Sequence, residues 1–120
     1  MSAIVIHEPD DLMCHLLREW LTGAGYTVYG ATAADADTRV GLVIASISTS
    51  GLDRQTLIAR LQRAHPAASM LALCSLARSG LTSDGALARS LGVDRVMAKP
   101  LRRGEFLATV ASLIGPAAWH

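Results

Sequence analysis

Five residues able to do chemistry each stand at or just past the end of a short apolar run. Glu8 and Asp10, separated by Pro9, follow Ala3-Ile4-Val5-Ile6-His7. Ser46 follows Gly41-Leu42-Val43-Ile44-Ala45, Cys74 follows Ser69-Met70-Leu71-Ala72-Leu73, and Lys99 comes shortly after Val93 to Met97. Carboxylates can hold a divalent cation, but Mg²⁺ wants near-octahedral oxygen coordination, and Glu8 alone or with Asp10 is a thin site. The Ser46 hydroxyl can take a phosphoryl group only as an ester. Lys99 would stabilise the charge, but no base is fixed beside it. The Cys74 thiol becomes redox-active if Lys99 lowers its pKa. Glu8 and Lys99 carry opposite charges, and a direct pair would lock the site in one state. Against each stands a plainer reading. Ser46 and Cys74 are then small residues filling space, and Glu8 and Lys99 are solvated charges whose pairing is worth only ~0–1 kcal/mol.

Other chemistries find no support. His7 and His15 have no partner at metal-ligand spacing, so a structural or solvent-facing role is expected of both. There is no Ser-His-Asp order, no Gly-rich phosphate loop and no metal cluster. An enzyme is therefore not expected, and a small α/β enzyme that merely shares a fold is the weakest alternative. The chain has 120 residues, 51% of them hydrophobic and 4% aromatic, with a formal net charge of +1. That is one domain's worth with an aliphatic core. The charge balance points to neither direct nucleic-acid binding nor a membrane surface. No apolar run approaches the ~20 residues that span a bilayer, and no secretory signal is visible. Cys14 and Cys74 sit in apolar runs and read as buried free thiols, in keeping with a reduced, cytoplasmic setting.

The elements that must position these residues alternate along the chain. Ala3 to His7 reads as a strand. A helix opens at Pro9, with Asp10 and Asp11 near its positive end. Leu12, Met13, Leu16, Leu17, Trp20 and Leu21 continue it at 3.6-residue spacing, and it stops around Gly23 and Gly25. Tyr26 to Tyr29 is a second strand, Thr32 to Arg39 a weak, short helix, and Gly41 to Ala45 a third, fully apolar strand. Ser46 to Gly51 reads as a polar loop. The next helix buries Leu57, Ile58 and Leu61 and ends before Pro66. Ser69 to Leu73 is a fourth strand, Leu81 to Leu91 a helix closed by Gly92, Val93 to Met97 a fifth strand, and Lys99-Pro100 a turn. Phe106, Leu107, Val110, Leu113 and Ile114 mark a last helix ended by Gly115-Pro116. Five strands alternating with five helices indicate one doubly wound α/β domain over residues 1–120 with a parallel sheet. In such sheets ligands bind beyond the carboxyl ends of the strands. His7 to Asp10, Ser46 to Ser48, Cys74-Ser75 and Lys99 should then converge at one rim.

Three stretches in this order resemble the receiver domain of bacterial response regulators, the CheY-like (βα)5 flavodoxin-like fold of two-component signalling. They are Leu16-Leu17-Arg18-Glu19-Trp20-Leu21 with Gly25-Tyr26; Leu42-Val43-Ile44-Ala45-Ser46 with Ser50-Gly51-Leu52-Asp53; and Gly92-Val93-Asp94-Arg95-Val96-Met97-Ala98-Lys99-Pro100. The resemblance covers Ala3 to about Ile114 and implies the strand order 2-1-3-4-5. It also implies that the second helix, between Tyr29 and Gly41, is shortened.

Ordinary receivers phosphorylate an aspartate at the end of strand three, beside Mg²⁺ held by two acidic residues after strand one. Carried over, the acceptor position is Ser46, the acidic positions are Glu8 and Pro9, the strand-four hydroxyl position is Cys74, and the aromatic switch position is Val96. Lys99 is retained. A one-residue slip would bring Asp10 toward the second acidic position. The resemblance therefore implies a pseudo-receiver that lacks the phosphoacceptor, with weak or absent Mg²⁺ binding and no other cofactor. Its expected role is phosphorylation-independent protein–protein interaction in signal transduction. The protein partner would be a sensor histidine kinase or another regulator in the phosphorelay. Arg89, Asp94, Arg95, Arg102, Arg103 and Glu105 would form the interaction face, with homodimerisation through the last two helices and strand five as one use and an ordinary solvated face as the plain alternative. The competing expectation is a domain switched by a small ligand or a non-aspartyl modification at the altered pocket.

Overall fold

A computed structural model describes residues 3–30, 40–47, 51–74, 89, 92–99 and 101–115. Its elements are β1 (Ala3–His7), α1 (Asp11–Gly23), β2 (Thr27–Gly30), β3 (Val40–Ile47), α2 (Gly51–Ala64), β4 (Ser69–Cys74), β5 (Arg95–Ala98) and α3 (Arg103–Ile114). The five strands pair in parallel in the order β2-β1-β3-β4-β5. The expected helices at 32–39 and 81–91 lie outside the described residues, apart from Arg89, which is helical and exposed. Pro100 also lies outside them. No described helix is long and apolar enough to cross a membrane.

Strand alternation divides the core between two sheet faces. Val5, Val43, Ala45, Ile47, Met70, Ala72, Cys74 and Val96 pack with Ile58 and Leu61 of α2. Ile4, Ile6, Leu42, Ile44, Leu71 and Leu73 pack with Leu17 and Leu21 of α1 and Phe106 and Val110 of α3. Burial on both faces is why these strands read as unbroken apolar runs. The rings of Trp20 and Phe106 meet at 5.9 Å and join α1 to α3. The Tyr26 hydroxyl donates to the Gly115 carbonyl at 2.9 Å, tying the end of α3 to the exit of α1.

Several boundaries depart from the sequence reading. The first helix starts at Asp11, not Pro9, because the Asp10 side chain is its cap and accepts the Leu12 N–H at 3.2 Å. The cap satisfies a donor that has no partner inside the helix. Gly25, at φ 97°, supplies the left-handed turn after α1. The third strand runs on through Ser46 and Ile47, which pair with Leu73 and Cys74 where a loop was expected. The fourth likewise runs through Cys74. On α1, Leu12 is 81% exposed and Leu16 38% exposed. They stand roughly 140° around the helix from Leu17 and Leu21 at 100° per residue, so the apolar spacing of this helix spans more than its buried face.

Asp94 has a backbone task. Its N–H donates to the Met70 carbonyl at 3.0 Å, and its carboxylate accepts the Met70 N–H at 2.7 Å. This two-bond clamp starts the pairing of β5 with β4. Asp94→Ala is expected to cost about 1–2 kcal/mol, since a partly buried N–H loses a charged acceptor. A urea midpoint unchanged within error would show that water replaces the carboxylate without cost.

Candidate functional site

The alternation that sorts the core also places the site. Ile6, Ile44 and Met97 face the α1–α3 side, and Glu8, Ser46 and Lys99 each come two residues later, at the same rim. Glu8 is the centre of the cluster. Its Oε1 accepts a hydrogen bond from Ser46 Oγ and another from Lys99 Nζ, the latter at 2.9 Å. Its Oε2 accepts the Asp10 N–H at 3.0 Å. The Lys99 backbone N–H donates to the Cys74 carbonyl at 2.9 Å, so sheet pairing itself sets where the lysine begins.

The Glu8 side chain is 3% exposed and that of Lys99 22%. Burial pushes the Glu8 carboxyl up. The hydrogen bonds from Ser46, Lys99 and the Asp10 N–H, with the positive charge of Lys99, outweigh it and hold the group below its ordinary value. Glu8 is thus an ionised carboxylate in a water-poor setting, with a hydroxyl, an ammonium and a backbone N–H around it.

The remaining predicted residues do not join it. Pro9 is exposed and has no carboxylate. Asp10, which a slip would have brought inward, is exposed and spends its side chain on capping α1. Cys74 is a correction. It is 4% exposed and packs on the α2 face, because its place in β4 is of opposite parity to that of Leu73. The signal that finds this is the alternation itself, which passes over Cys74. Ser75, next in the chain, lies outside the described residues. Val96 is buried on the α2 face. Of the six interaction-face residues, Asp94 is committed to Met70, while Arg95 and Glu105 line an open groove between β5 and α3. Arg89, Arg102 and Arg103 are exposed.

Mg²⁺ does not fit the described residues. It needs oxygen ligands with lone pairs to give, and Glu8 already accepts from three donors. Pro9 has no carboxylate, and that of Asp10 is exposed and caps α1. No group of three or more His, Cys, Asp or Glu residues able to hold a metal occurs among the described residues.

No family model and no curated protein matches the sequence. Solved structures do. A response regulator receiver protein from Burkholderia phymatum superposes with a TM-score of 0.75 at 19% identity, covering 98% of both chains. The signal receiver domain of an HD domain-containing protein from Pseudomonas fluorescens Pf-5 gives 0.73 at 20%, covering 94% of both. A response regulator from Thermotoga maritima gives 0.72 at 17%, covering 95% of this chain and 98% of that one. At such identities the likeness is one of architecture: this chain has the α/β fold of CheY-like response-regulator receiver domains.

Proposed function

We propose that the chain is a pseudo-receiver, a non-enzymatic interaction module in two-component signal transduction that works without aspartyl phosphorylation, Mg²⁺ or another cofactor. One observation carries the reading. The carboxylate of Glu8 fills the space between Ser46 and Lys99, so the lysine already has an anion and no carboxylate stands at the end of β3 to accept a phosphoryl group. A serine hydroxyl at that position cannot form an acyl phosphate. With Lys99 already neutralised by Glu8, the charge balance of the rim does not call for an incoming phosphoryl group.

Signalling then falls to surface contacts. The groove between β5 and α3 offers Arg95 and Glu105 around half-buried Met97 and exposed Ala98, with Arg102 and Arg103 beside it. This surface suits a protein partner such as a sensor histidine kinase or another regulator, or a second receiver.

The test is intact-mass spectrometry after incubation with acetyl phosphate and Mg²⁺, for the wild type beside Ser46→Asp. The wild type is expected to gain nothing and the variant to gain one phosphoryl group. Stable labelling of the wild type would overturn the reading. If that label mapped to Ser46, the switch by non-aspartyl modification would take its place.

A further inference from the structure

Hydrogen bonds run in sequence from the end of β5 to the start of α1. Lys99 Nζ donates to Glu8 Oε1 at 2.9 Å. The other oxygen of the same carboxylate accepts the Asp10 N–H at 3.0 Å. The Asp10 side chain accepts the Leu12 N–H at 3.2 Å, and the Asp10 carbonyl accepts the Cys14 N–H at 2.9 Å, the bond that opens the helix. Each bond is ordinary alone. Together they make Asp10 both a donor to the rim and the cap of α1. Pro9, between the two acids, has no N–H to compete for the carboxylate, and its fixed φ limits how far they part.

We propose that these bonds couple the rim to the first turn of α1, so that the hold of Lys99 and Ser46 on Glu8 sets how firmly that turn is capped. The proposal rests on the reading that Glu8 is the standing anion of the rim. Asp10 caps while its backbone is extended, at φ −81° and ψ 115°, because the cap position lies just outside helical geometry. Glu8 holds that backbone by its N–H. Ser46 Oγ and Lys99 Nζ in turn hold Glu8, both through Oε1. The Glu8 side chain is 3% exposed. Without the ammonium it loses the charge that offsets its burial, and the carboxylate turns toward water. Oε2 then leaves the Asp10 N–H, the Asp10 backbone is free to rotate, and the Leu12 N–H loses its cap. Coupling needs an element with two arrangements that both ends bias, and the first turn, capped or open, is that element. Linkage makes the effect mutual, so a contact that opens the turn also loosens the rim. In the undisturbed chain every bond is in place and the turn is held.

Amide exchange with water, read by NMR, tests the coupling. Lys99 lies 91 residues from Glu8 along the chain, so Lys99→Met leaves the intrinsic exchange rates of the first turn unchanged. The Leu12 and Cys14 N–H groups are expected to exchange about fivefold faster in Lys99→Met, the factor that a cap of ordinary strength carries. The His65 N–H, bonded to the Leu61 carbonyl at 2.9 Å where α2 ends, is the control. It too exchanges by local opening, and its rate is expected to hold. Ser46→Ala removes the other donor to Oε1 with the charge pair intact, and should shift Leu12 and Cys14 in the same direction. In an Asp10→Ala background the cap is already gone, and adding Lys99→Met should change the Leu12 rate by less than about twofold. Wild-type rates at Leu12 and Cys14 in both Lys99→Met and Ser46→Ala would overturn the proposal, because cap and rim would then be independent. So would a Lys99→Met effect that persists in full on Asp10→Ala, or an equal rise at His65, which would mark general loosening. Phosphoryl labelling at the rim is a separate measurement, so this proposal and the function proposed above fail separately.

Discussion

Phe106→Ala is expected to destabilise the domain by about 3–5 kcal/mol, the usual cost of removing a fully buried aromatic ring. Phe106 is the chain's only phenylalanine. It is completely buried, lies against Trp20 at 5.9 Å, and shares a cluster with Leu17, Leu21 and Val110. The aliphatic side chains around it are too short to refill the volume without moving α1 or α3. Much of a small domain's stability, about 5–15 kcal/mol in all, would go. Urea unfolding should show a lower midpoint with an unchanged slope. A loss below about 1 kcal/mol would mean that α3 packs less firmly than the burial indicates.

The second large effect is at Glu8. Glu8→Ala leaves Lys99, the Ser46 hydroxyl and the Asp10 N–H without their shared acceptor. Removing one partner of a buried pair costs about 3–5 kcal/mol. Lys99 retains some water, with its side chain 22% exposed, so about 2–3 kcal/mol is expected here. Adding Lys99→Met should return part of the loss, because the stranded ammonium is gone. The cycle is expected to give a coupling of about 1–2 kcal/mol, and strict additivity would contradict a working pair.

The same pair shapes the response to acid. The Glu8 carboxyl titrates below its ordinary value of 4.5 in the folded chain. Its contribution is therefore complete above that value and lost as pH falls through the lower, folded one. A Glu8→Gln variant should start less stable at neutral pH and decline less than wild type below about pH 4.5. Equal declines would show that other carboxylates govern the acid limb.

The architecture was legible because its signals are local and agree with one another. Each strand is a short aliphatic run, each break carries Gly, Pro or Asp, and burial on both faces leaves no polar residue inside β1 or β4 to confuse the pattern. The strand ends also pointed to Glu8, Ser46 and Lys99. What stayed hidden was competition for individual side chains. Asp10 had two possible uses, and the N–H groups opening α1 are nearer to it than the rim. Asp94 read as a surface charge until the pairing of β5 with β4 supplied the Met70 backbone beside it. Cys74 looked like a rim residue because the end of an apolar run does not say which face its last residue takes. Only the register with Ile47 settles that. Leu12 and Leu16 fit helical spacing as well as Leu17 and Leu21 do, and spacing alone does not say how wide the buried stripe is. The readings at 32–39 and 81–91 fall outside the described residues.

The central claim is that the rim is filled by its own carboxylate and does not switch. Amide NMR of the wild-type chain, titrated with Mg²⁺ and then with beryllofluoride as a phosphoryl mimic, addresses it most directly. The expected result is no specific shift of resonances from His7 to Asp10, Ala45 to Ile47 or Ala98-Lys99 at millimolar additions. Saturable shifts in those segments, spreading to β5 and α3, would show that Glu8 gives way and that the domain still switches.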